Sequence, residues 1–381
     1  MPRSNLLLIS DAISYSSGLA RITRDLAERI HAHIPEIRLA TAGYGGIGSA
    51  RFPWSDYHLN TVENWMIPEL PAVVQDFSPD QECIVMFVWD LSRLWWFLDP
   101  AQCPNRSLGE WIRQANIKKW AYHPVDAAGV GGKLNLKLAG LMSKLDRVLD
   151  YSAFSSRVTG NPDHLPHGID THVFRPHDRR ESRIALNAAG FGTLAEKSLR
   201  VGIVATNQVR KDWALGLEAC RILLDRGYDV QVWAHIDTLE RHWSLPNLIA
   251  DFGLQNRVAI TSFRFSDDQM AQLYSACDVT LGIGSEGYGY PIFESLACGV
   301  PCISGDYAGA AEHLPPSMKV KPIAFRYDGP FNCQRPVFNP KDWADAAEEN
   351  NGIIASLPDS LDWHGRTLWP AWEKWFREGI A

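Results

Sequence analysis

The sequence predicts an α/β protein with two domains, each built around a parallel sheet. Three observations lead to this prediction. A buried strand, a polar loop and an amphipathic helix open the chain, and the same order restarts at Leu199. A further strand runs through a glycine-rich turn into a helix between Asp278 and Gly299. The 381 residues suffice for two domains of ordinary size, each with its own core.

The composition excludes several classes of protein. Hydrophobic residues make up 46% and charged residues 21%, and no apolar run approaches the roughly 20 residues of a membrane span. With a net charge of −7 and scattered Lys and Arg, the sequence does not favour a nucleic-acid binder. Seven cysteines without a Cys-x-x-Cys pair indicate reduced thiols. We therefore expect a cytoplasmic protein rather than a disulfide scaffold or a zinc site.

The first half has the pattern of a Rossmann-like domain. A strand is predicted over residues 5–10, a polar loop over 11–18 and then a helix, and further strands over 37–42, 83–89, 119–123 and 147–152. Residues 43–64 have no clear periodicity and are long for a connection. The helix presents one apolar face, formed by Leu19, Ile22, Leu26 and Ile30.

His123 and Asp126 follow the strand predicted over residues 119–123. In a doubly wound sheet, the carboxyl ends of the strands present the chemistry. Both residues are therefore candidates for a functional site, although a structural role for His123 in the loop stays open.

A turn is predicted over residues 165–176 (LPHGIDTHVFRP), because it holds a glycine and two prolines. We place the domain boundary there, near residue 175. The predicted domains cover residues 1–175 and 176–355, followed by a C-terminal helix over 356–381. That helix carries several tryptophans, which are suitable anchors for docking on another domain.

The second half repeats the pattern, with strands over residues 199–205, 228–235 and 257–261 and a helix over 213–226. Arg210 and Lys211 lie just before that helix, where two cations suit a diphosphate. The alternative is that they are solvated residues at a helix start. His235 ends its strand, and a role in a cleft and a role in packing are both open. Ser266 and Gln269 predict a capping box.

The glycine-rich turn brings two carboxylates to a predicted helix start. Glu286 lies in the turn and Glu294 about one turn inside a helix predicted over residues 290–297, with seven residues between them. A strand that runs through such a turn into a helix points free N–H groups at a phosphate. The two carboxylates could then bind hydroxyls on either side of a diphosphate. The alternative is an ordinary crossover with two solvated glutamates.

Residues 285–301 (SEGYGYPIFESLACGVP) resemble the Glu-x7-Glu signature of retaining glycosyltransferases with the GT-B fold, the group 1, glycogen synthase-like type. Residues 165–176 are similar to the segment that ends the first domain in this family. The resemblance implies two Rossmann-like domains that face a cleft, with the C-terminal helix packing back on the N-terminal domain. The first domain would be the acceptor side, and the second would bind the nucleotide-sugar.

The resemblance also implies roles for individual residues. Glu286 would touch the donor sugar, Glu294 the nucleotide ribose, and Phe263 the base. The backbone between the two glutamates would bind sugar and diphosphate, which concerns Gly287, Tyr288, Gly289 and Tyr290. His123 would face the donor sugar, with Asp126 on the acceptor side.

Two positions depart from the family's pattern. The loop that approaches the diphosphate from the first domain has several glycines in the family, whereas only Gly18 remains here. The family places an Arg and a Lys five residues apart, so that Thr206 stands at the arginine position if Lys211 is that lysine. Arg210 would then substitute from the neighbouring position.

The predicted activity is retaining transfer of a sugar from a UDP- or GDP-sugar to an acceptor hydroxyl, without a cofactor. No Asp-x-Asp occurs in the sequence, which favours neutralisation of the diphosphate by cations and a helix end rather than by a metal. The acceptor would be a saccharide, a lipid-linked molecule or a small molecule, and the net charge disfavours a modified nucleic-acid base. A nucleotide-sugar epimerase, a phosphorylase and a non-catalytic sugar-nucleotide-binding protein remain alternatives.

Overall fold

The computed structural model of the 381-residue chain describes residues 4–15, 17–45, 51–60, 65–79, 82–188, 198–262, 265–329 and 332–381. Phe263, expected near the nucleotide base, lies outside these described residues. The chain divides into two compact units: residues 1–125, 129–167 and 369–381 form the first unit, and residues 126–128 and 168–368 form the second. The chain thus enters the second unit after His167, compared with a predicted boundary near residue 175.

The first unit contains a six-stranded sheet in the order β3-β2-β1-β4-β5-β6, in which every pair is parallel. Its strands are β1 (Ser4–Asp11), β2 (Ile37–Tyr44), β3 (Ser55–Leu59), β4 (Cys83–Phe87), β5 (Ile117–His123) and β6 (Arg147–Asp150). Its helices are α1 (Gly18–His33), α2 (Leu70–Phe77), α3 (Trp95–Leu98), α4 (Arg106–Gln114), α5 (Leu136–Met142) and α6 (Ala153–Thr159). Strand β3 was not predicted, because it is a partly exposed edge strand without a run of apolar residues.

The second unit repeats this architecture with the sheet order β12-β11-β10-β7-β8-β9, again parallel throughout. Its strands are β7 (Leu199–Val204), β8 (Val230–His235), β9 (Val258–Thr261), β10 (Val279–Gly282), β11 (Cys302–Gly305) and β12 (Lys319–Val320). Its helices are α7 (Arg179–Ala188), α8 (Trp213–Asp225), α9 (Leu245–Asp251), α10 (Asp267–Ser275), α11 (Tyr290–Ala297) and α12 (Pro340–Glu349). An antiparallel hairpin of β13 (Ala324–Asp328) and β14 (Cys333–Val337), which was not predicted, also belongs to this unit.

Helix α13 (Leu368–Ile380) ends the chain, and its residues from Trp369 onward belong to the first unit. Its tryptophans are anchored by specific contacts: the Trp372 indole N–H donates to the Pro166 carbonyl at 2.8 Å, and Trp375 packs edge-on against Trp120 at 5.2 Å between ring centres. Apolar burial of these large rings packs the helix against strand β5.

The two parallel sheets confirm the predicted fold class. In both units the strand order reverses between two neighbouring strands, β1 and β4 in the first and β7 and β10 in the second. Open α/β sheets generally bind ligands beyond the carboxyl ends of such a pair of strands. All seven cysteines are buried and free. None of the described helices combines the length and the apolar character needed to cross a bilayer.

Candidate functional site

The loops after β7 and β10 touch each other at Gly284. This residue has φ +95°, and a Cβ atom there would lie 2.5 Å from the carbonyl oxygen of Arg210. Only glycine combines this backbone conformation with so close an approach. Gly284 therefore allows the turn that carries Glu286 to lie directly on the loop that carries Arg210 and Lys211.

Glu286 is bound by both neighbouring cations. Its carboxylate accepts a hydrogen bond from Arg210 Nη1 at 3.0 Å and is in contact with Lys211 Nζ. Arg210 Nη1 also donates to the Ser285 carbonyl at 3.1 Å. Only 12% of the Glu286 side chain is exposed, so it is not a solvated glutamate. The structure thus brings three of the predicted site residues into one charged cluster.

Asp126 also belongs to this cluster. One carboxylate oxygen accepts the Gly287 N–H at 2.8 Å, and the other lies 3.5 Å from Arg210 Nε. The prediction put Asp126 in the first domain, but the segment 126–128 belongs to the second unit. The physical reason is that a free backbone N–H and an arginine attract the carboxylate. Its role towards an acceptor stays a prediction.

Two hydrogen bonds of Ala128, one to Tyr307 and one to the β13–β14 hairpin, hold the segment 126–128 in place. Tyr307 OH accepts the Ala128 N–H at 3.1 Å, and the Gln334 N–H donates to the Ala128 carbonyl at 2.8 Å. The same hairpin supplies Arg335, which the sequence analysis missed. Arg335 donates to Ser285 Oγ at 3.0 Å and to Asp328 at 3.1 Å, and it is buried. Since Arg335 is one of many scattered arginines in an unpredicted hairpin, no sequence signal pointed to it.

The cluster shifts the pKa values of its members. Burial by itself would raise the pKa of Asp126, but the charges of Arg210 and Arg335, the Gly287 N–H bond and Lys211 together hold it below its usual value. Burial, with the positive charges of Arg210 and Arg335, holds the pKa of Lys211 well below its usual value, although Asp126 opposes this. An added anion would therefore favour the charged form of Lys211.

A buried asparagine shapes the loop before Lys211. Asn207 is fully buried, and its side-chain amide donates to the carbonyls of Thr238 and Trp243 at 3.0 and 2.8 Å. Its side-chain oxygen accepts the N–H groups of His242 and Trp243, and its own N–H donates to Asp237. This network holds the β7–α8 loop on the loop after β8. It was not predicted, because it depends on a pairing between distant segments.

Helix α11 begins at Tyr290, as predicted, after Gly289 in the left-handed conformation. Glu294 lies inside it, is 3% exposed and accepts a hydrogen bond from Tyr274 OH at 2.7 Å. Tyr288 is 4% exposed and packs against Phe293 at 4.7 Å between ring centres. Glu294 is thus a buried, oriented carboxylate rather than a solvated one.

His235 is packed at the end of β8. Its Nδ1 lies 2.7 Å from Thr261 Oγ1, and its ring stacks on Phe265 at 5.1 Å. Burial lowers the pKa of His235 to about 4, so it is neutral at physiological pH. His235 therefore has a packing role in the structure, and donor binding by His235 stays a prediction.

The remaining predicted residues belong to the first unit. His123 ends β5, is 1% exposed and lies with Nε2 3.0 Å from the buried Asp150 carboxylate of β6. Gly18 is exposed at the start of α1, next to the capping Ser17, whose hydroxyl donates to Asp11 at 2.6 Å. Functional roles for His123 and Gly18 stay predictions.

A sequence-family match concerns the second unit. Residues 198–347 match the family described as Glycosyl transferases group 1. The match covers the Arg210–Lys211 loop, the Glu286 turn and Arg335, and it confirms the predicted resemblance to group 1 glycosyltransferases over this stretch. The retaining type stays a prediction. No curated protein matches the chain in sequence.

Solved structures resemble the whole chain at low sequence identity. Sucrose-phosphate synthase from Thermosynechococcus elongatus is 15% identical, with 99% of each chain covered and a TM-score of 0.67. Anabaena HepE in complex with UDP and glucose is 14% identical, with 99% of each chain covered and a TM-score of 0.69. An Escherichia coli structure described as trehalose-6-phosphate bound with UDP-2-fluoro glucose is 12% identical, with 91% of each chain covered and a TM-score of 0.60. These similarities confirm the GT-B fold.

The contact at Gly284 predicts the outcome of a matched pair of substitutions. Gly284 and Gly227 both have positive φ, +95° and +93°, but a Cβ at Gly227 would meet nothing within 4 Å. Each Ala substitution should cost about 1–2 kcal/mol for the left-handed conformation. Gly284→Ala should cost clearly more, because its methyl group meets the Arg210 carbonyl. Urea unfolding of both variants checks this, and equal midpoints would show that the two loops do not touch at Gly284.

Proposed function

We propose that this protein is a retaining glycosyltransferase that transfers a sugar from a nucleotide-diphosphate sugar to an acceptor hydroxyl without a divalent metal. The observation that carries the proposal is the contact between the Glu286 turn and the Arg210–Lys211 loop. It lies within the stretch that matches group 1 glycosyltransferases. The donor is a UDP- or GDP-sugar, and no further cofactor takes part.

The cations of the cluster would bind the diphosphate. Arg210, Lys211 and Arg335 converge around Ser285 and Glu286, close to the start of α11. As the bond to the sugar breaks, negative charge develops on the leaving diphosphate, and cations already in place stabilise it without reorganisation. Among the described residues, the group of three that could hold a metal ion is Asp170, His172 and His364, none of which belongs to this cluster.

The two glutamates would hold hydroxyl groups. When a diphosphate becomes the partner of Arg210 and Lys211, the Glu286 carboxylate is released to accept hydrogen bonds from the donor sugar. Glu294, oriented by Tyr274, would accept from the nucleotide ribose. Charge-assisted hydrogen bonds of this kind contribute about 1.5–3 kcal/mol each. The leaving phosphate would take the acceptor proton on the same face of the sugar, which accounts for retention without a side-chain base.

On the acceptor side, His123 would act by orientation. Its Nε2 lies 3.0 Å from the Asp150 carboxylate, and this contact would restrict the position of the imidazole. The acceptor would be a saccharide, a lipid-linked molecule or a small molecule. The net charge of −7 disfavours a nucleic-acid acceptor, because the nucleic-acid backbone would be repelled.

An epimerase or phosphorylase of the same fold would use the same cluster, and a non-catalytic protein would use it only for binding. Epimerisation changes the donor without an acceptor, and phosphorolysis requires inorganic phosphate. A binding protein should be stabilised by the donor but produce no free nucleotide. Product analysis therefore separates all four functions.

We expect a UDP- or GDP-sugar to raise the melting temperature of the protein, since a ligand at 100 times its dissociation constant stabilises by about 2.7 kcal/mol. UDP-sugars are the first to test, because two structurally similar proteins hold UDP or a UDP-sugar analogue. Thermal-shift screening identifies the donor, and acceptor screening with that donor should then yield a glycoside in the presence of EDTA. A strict requirement for Mn²⁺, or no stabilisation by any sugar nucleotide, would contradict the proposal.

Glu286→Gln should lower kcat/KM by roughly 10- to 100-fold, because the carboxylate loses its charge-assisted bonds to the donor sugar. Glu218→Gln, at an exposed position of α8, is the matched control and should leave the rate unchanged. Circular dichroism establishes that both variants are folded. A folded Glu286→Gln protein with the wild-type rate would remove Glu286 from the site.

Nucleotide binding should be accompanied by proton uptake at Lys211. Its pKa is lowered by burial and by two arginines, and a bound diphosphate raises it again, so the complex holds more protons than the free protein. The affinity for the nucleoside diphosphate should therefore fall as the pH rises from the lowered pKa of Lys211 in the free protein to its higher pKa in the complex. Calorimetry in buffers of different ionisation enthalpy measures the uptake.

Lys211→Arg tests the origin of these protons, because a guanidinium stays charged throughout. This variant should bind the nucleotide with less proton uptake than the wild type. The nucleoside without phosphates should cause no uptake in either protein. Equal uptake by wild type and Lys211→Arg would assign the protons to another group.

A further inference from the structure

Two histidines and an aspartate meet on the surface of the second unit. Ligand atoms of Asp170, His172 and His364 all lie within 4.8 Å of one another. The imidazole rings stack with their centres 3.6 Å apart, and His364 Nε2 lies 2.8 Å from Asp170 Oδ1. We propose that these three side chains bind a divalent transition-metal ion, with Zn²⁺ as the representative ion.

The donor set selects the class of metal. Two imidazole nitrogens and one carboxylate oxygen suit Zn²⁺, Co²⁺, Ni²⁺ and Cu²⁺, whereas Mg²⁺ and Ca²⁺ prefer oxygen ligands alone. Two ligands at about 2.1 Å from a tetrahedral Zn²⁺ are roughly 3.4 Å apart. The observed separation of 2.8 Å between His364 Nε2 and Asp170 Oδ1 is shorter than this value, and all the ligand atoms lie within 4.8 Å of one another. The two imidazole planes are only 20° apart, so the rings must tilt away from each other before both nitrogens point at one ion. Both histidines are exposed and Asp170 is half-buried, which leaves room for this rotation.

The backbone that carries these ligands is held without a metal. The Ile169 N–H donates to the Leu361 carbonyl at 2.8 Å, and the Trp363 N–H donates back to the Ile169 carbonyl at 3.1 Å. Ile169, Leu361 and Trp363 are buried, which anchors both segments in the second unit. Residues 170 and 364 are 194 positions apart in the chain, yet this pairing keeps them adjacent.

Side-chain hydrogen bonds orient the ligands further. The Asp170 carboxylate accepts the His172 N–H at 2.9 Å, which fixes the turn between these two ligands. The Asp362 carboxylate accepts both the His364 N–H and the Thr171 hydroxyl at 2.9 Å. A site on such a rigid frame loses little entropy when the ion binds.

The site has a structural consequence rather than a catalytic one. It contains none of the residues assigned to the donor site, so it is independent of metal-free sugar transfer. Its two segments lie close in sequence to the points where the chain passes between the units, after His167 and after Leu368. A metal ion would cross-link these segments within the second unit and stabilise their pairing.

Titration calorimetry of Zn²⁺ into the full-length, EDTA-treated protein tests the proposal. We expect one ion per chain, no comparable binding of Mg²⁺, and a Zn²⁺-dependent rise in the melting temperature. His364→Ala should weaken Zn²⁺ binding at least about 10-fold. Loss of a residue that only hydrogen-bonds a metal ligand already weakens metal binding by about that factor, and His364 is itself a ligand. His164→Ala, which removes an exposed histidine of the first unit, should bind Zn²⁺ like the wild type.

His172→Ala provides a second variant with the same expected loss, at an exposed position whose backbone bonds remain. Circular dichroism of both variants without metal establishes that they are folded. A wild-type protein that does not bind Zn²⁺ would overturn the proposal. Binding that neither His172→Ala nor His364→Ala weakens would also overturn it, because the ion would then lie on other ligands such as the cysteine thiols.

Discussion

The contact between two loops at Gly284 is the constraint on which the candidate site depends. Strands β7 and β10 are neighbours at the point where the sheet order reverses. The loops that follow these two strands can meet only if the backbone of one loop closely approaches the backbone of the other. The absent side chain of Gly284 permits this approach to the Arg210 carbonyl. As a result, Arg210 reaches both the Ser285 carbonyl and the Glu286 carboxylate.

The site concentrates buried charge in a way that favours function over stability. Three cations, Arg210, Lys211 and Arg335, lie among the carboxylates of Asp126, Glu286 and Asp328. Moving such groups out of water is costly, and their mutual attraction repays this cost incompletely. Clusters of this kind with shifted pKa values are typical of functional sites. An anionic ligand would replace the carboxylates of the protein as the partner of these cations.

The two proposed ligand sites differ in how they are built. The donor site uses loops at the carboxyl ends of strands, and its charged groups already bind one another. The Asp170–His172–His364 site lies on two paired segments of irregular backbone, and its side chains are largely exposed. The first arrangement suits an anion that must be released after each reaction, and the second suits an ion that remains bound.

The sequence by itself determined the elements whose signals are local. The helix predicted over residues 290–297 has these bounds in the structure, and the Ser266–Gln269 capping box is present, because turn residues, caps and periodicity act over a few neighbours. The same local signals placed Arg210, Lys211 and Glu286 in loops after strands.

Tertiary structure alone decided which of these groups meet. Asp126 and Gly287 are 161 residues apart, and Arg335 and Ser285 are 50 residues apart, so their contacts depend on how strands pair and where an unpredicted hairpin folds. Such long-range pairings follow from burial summed over a whole unit, which no local pattern encodes.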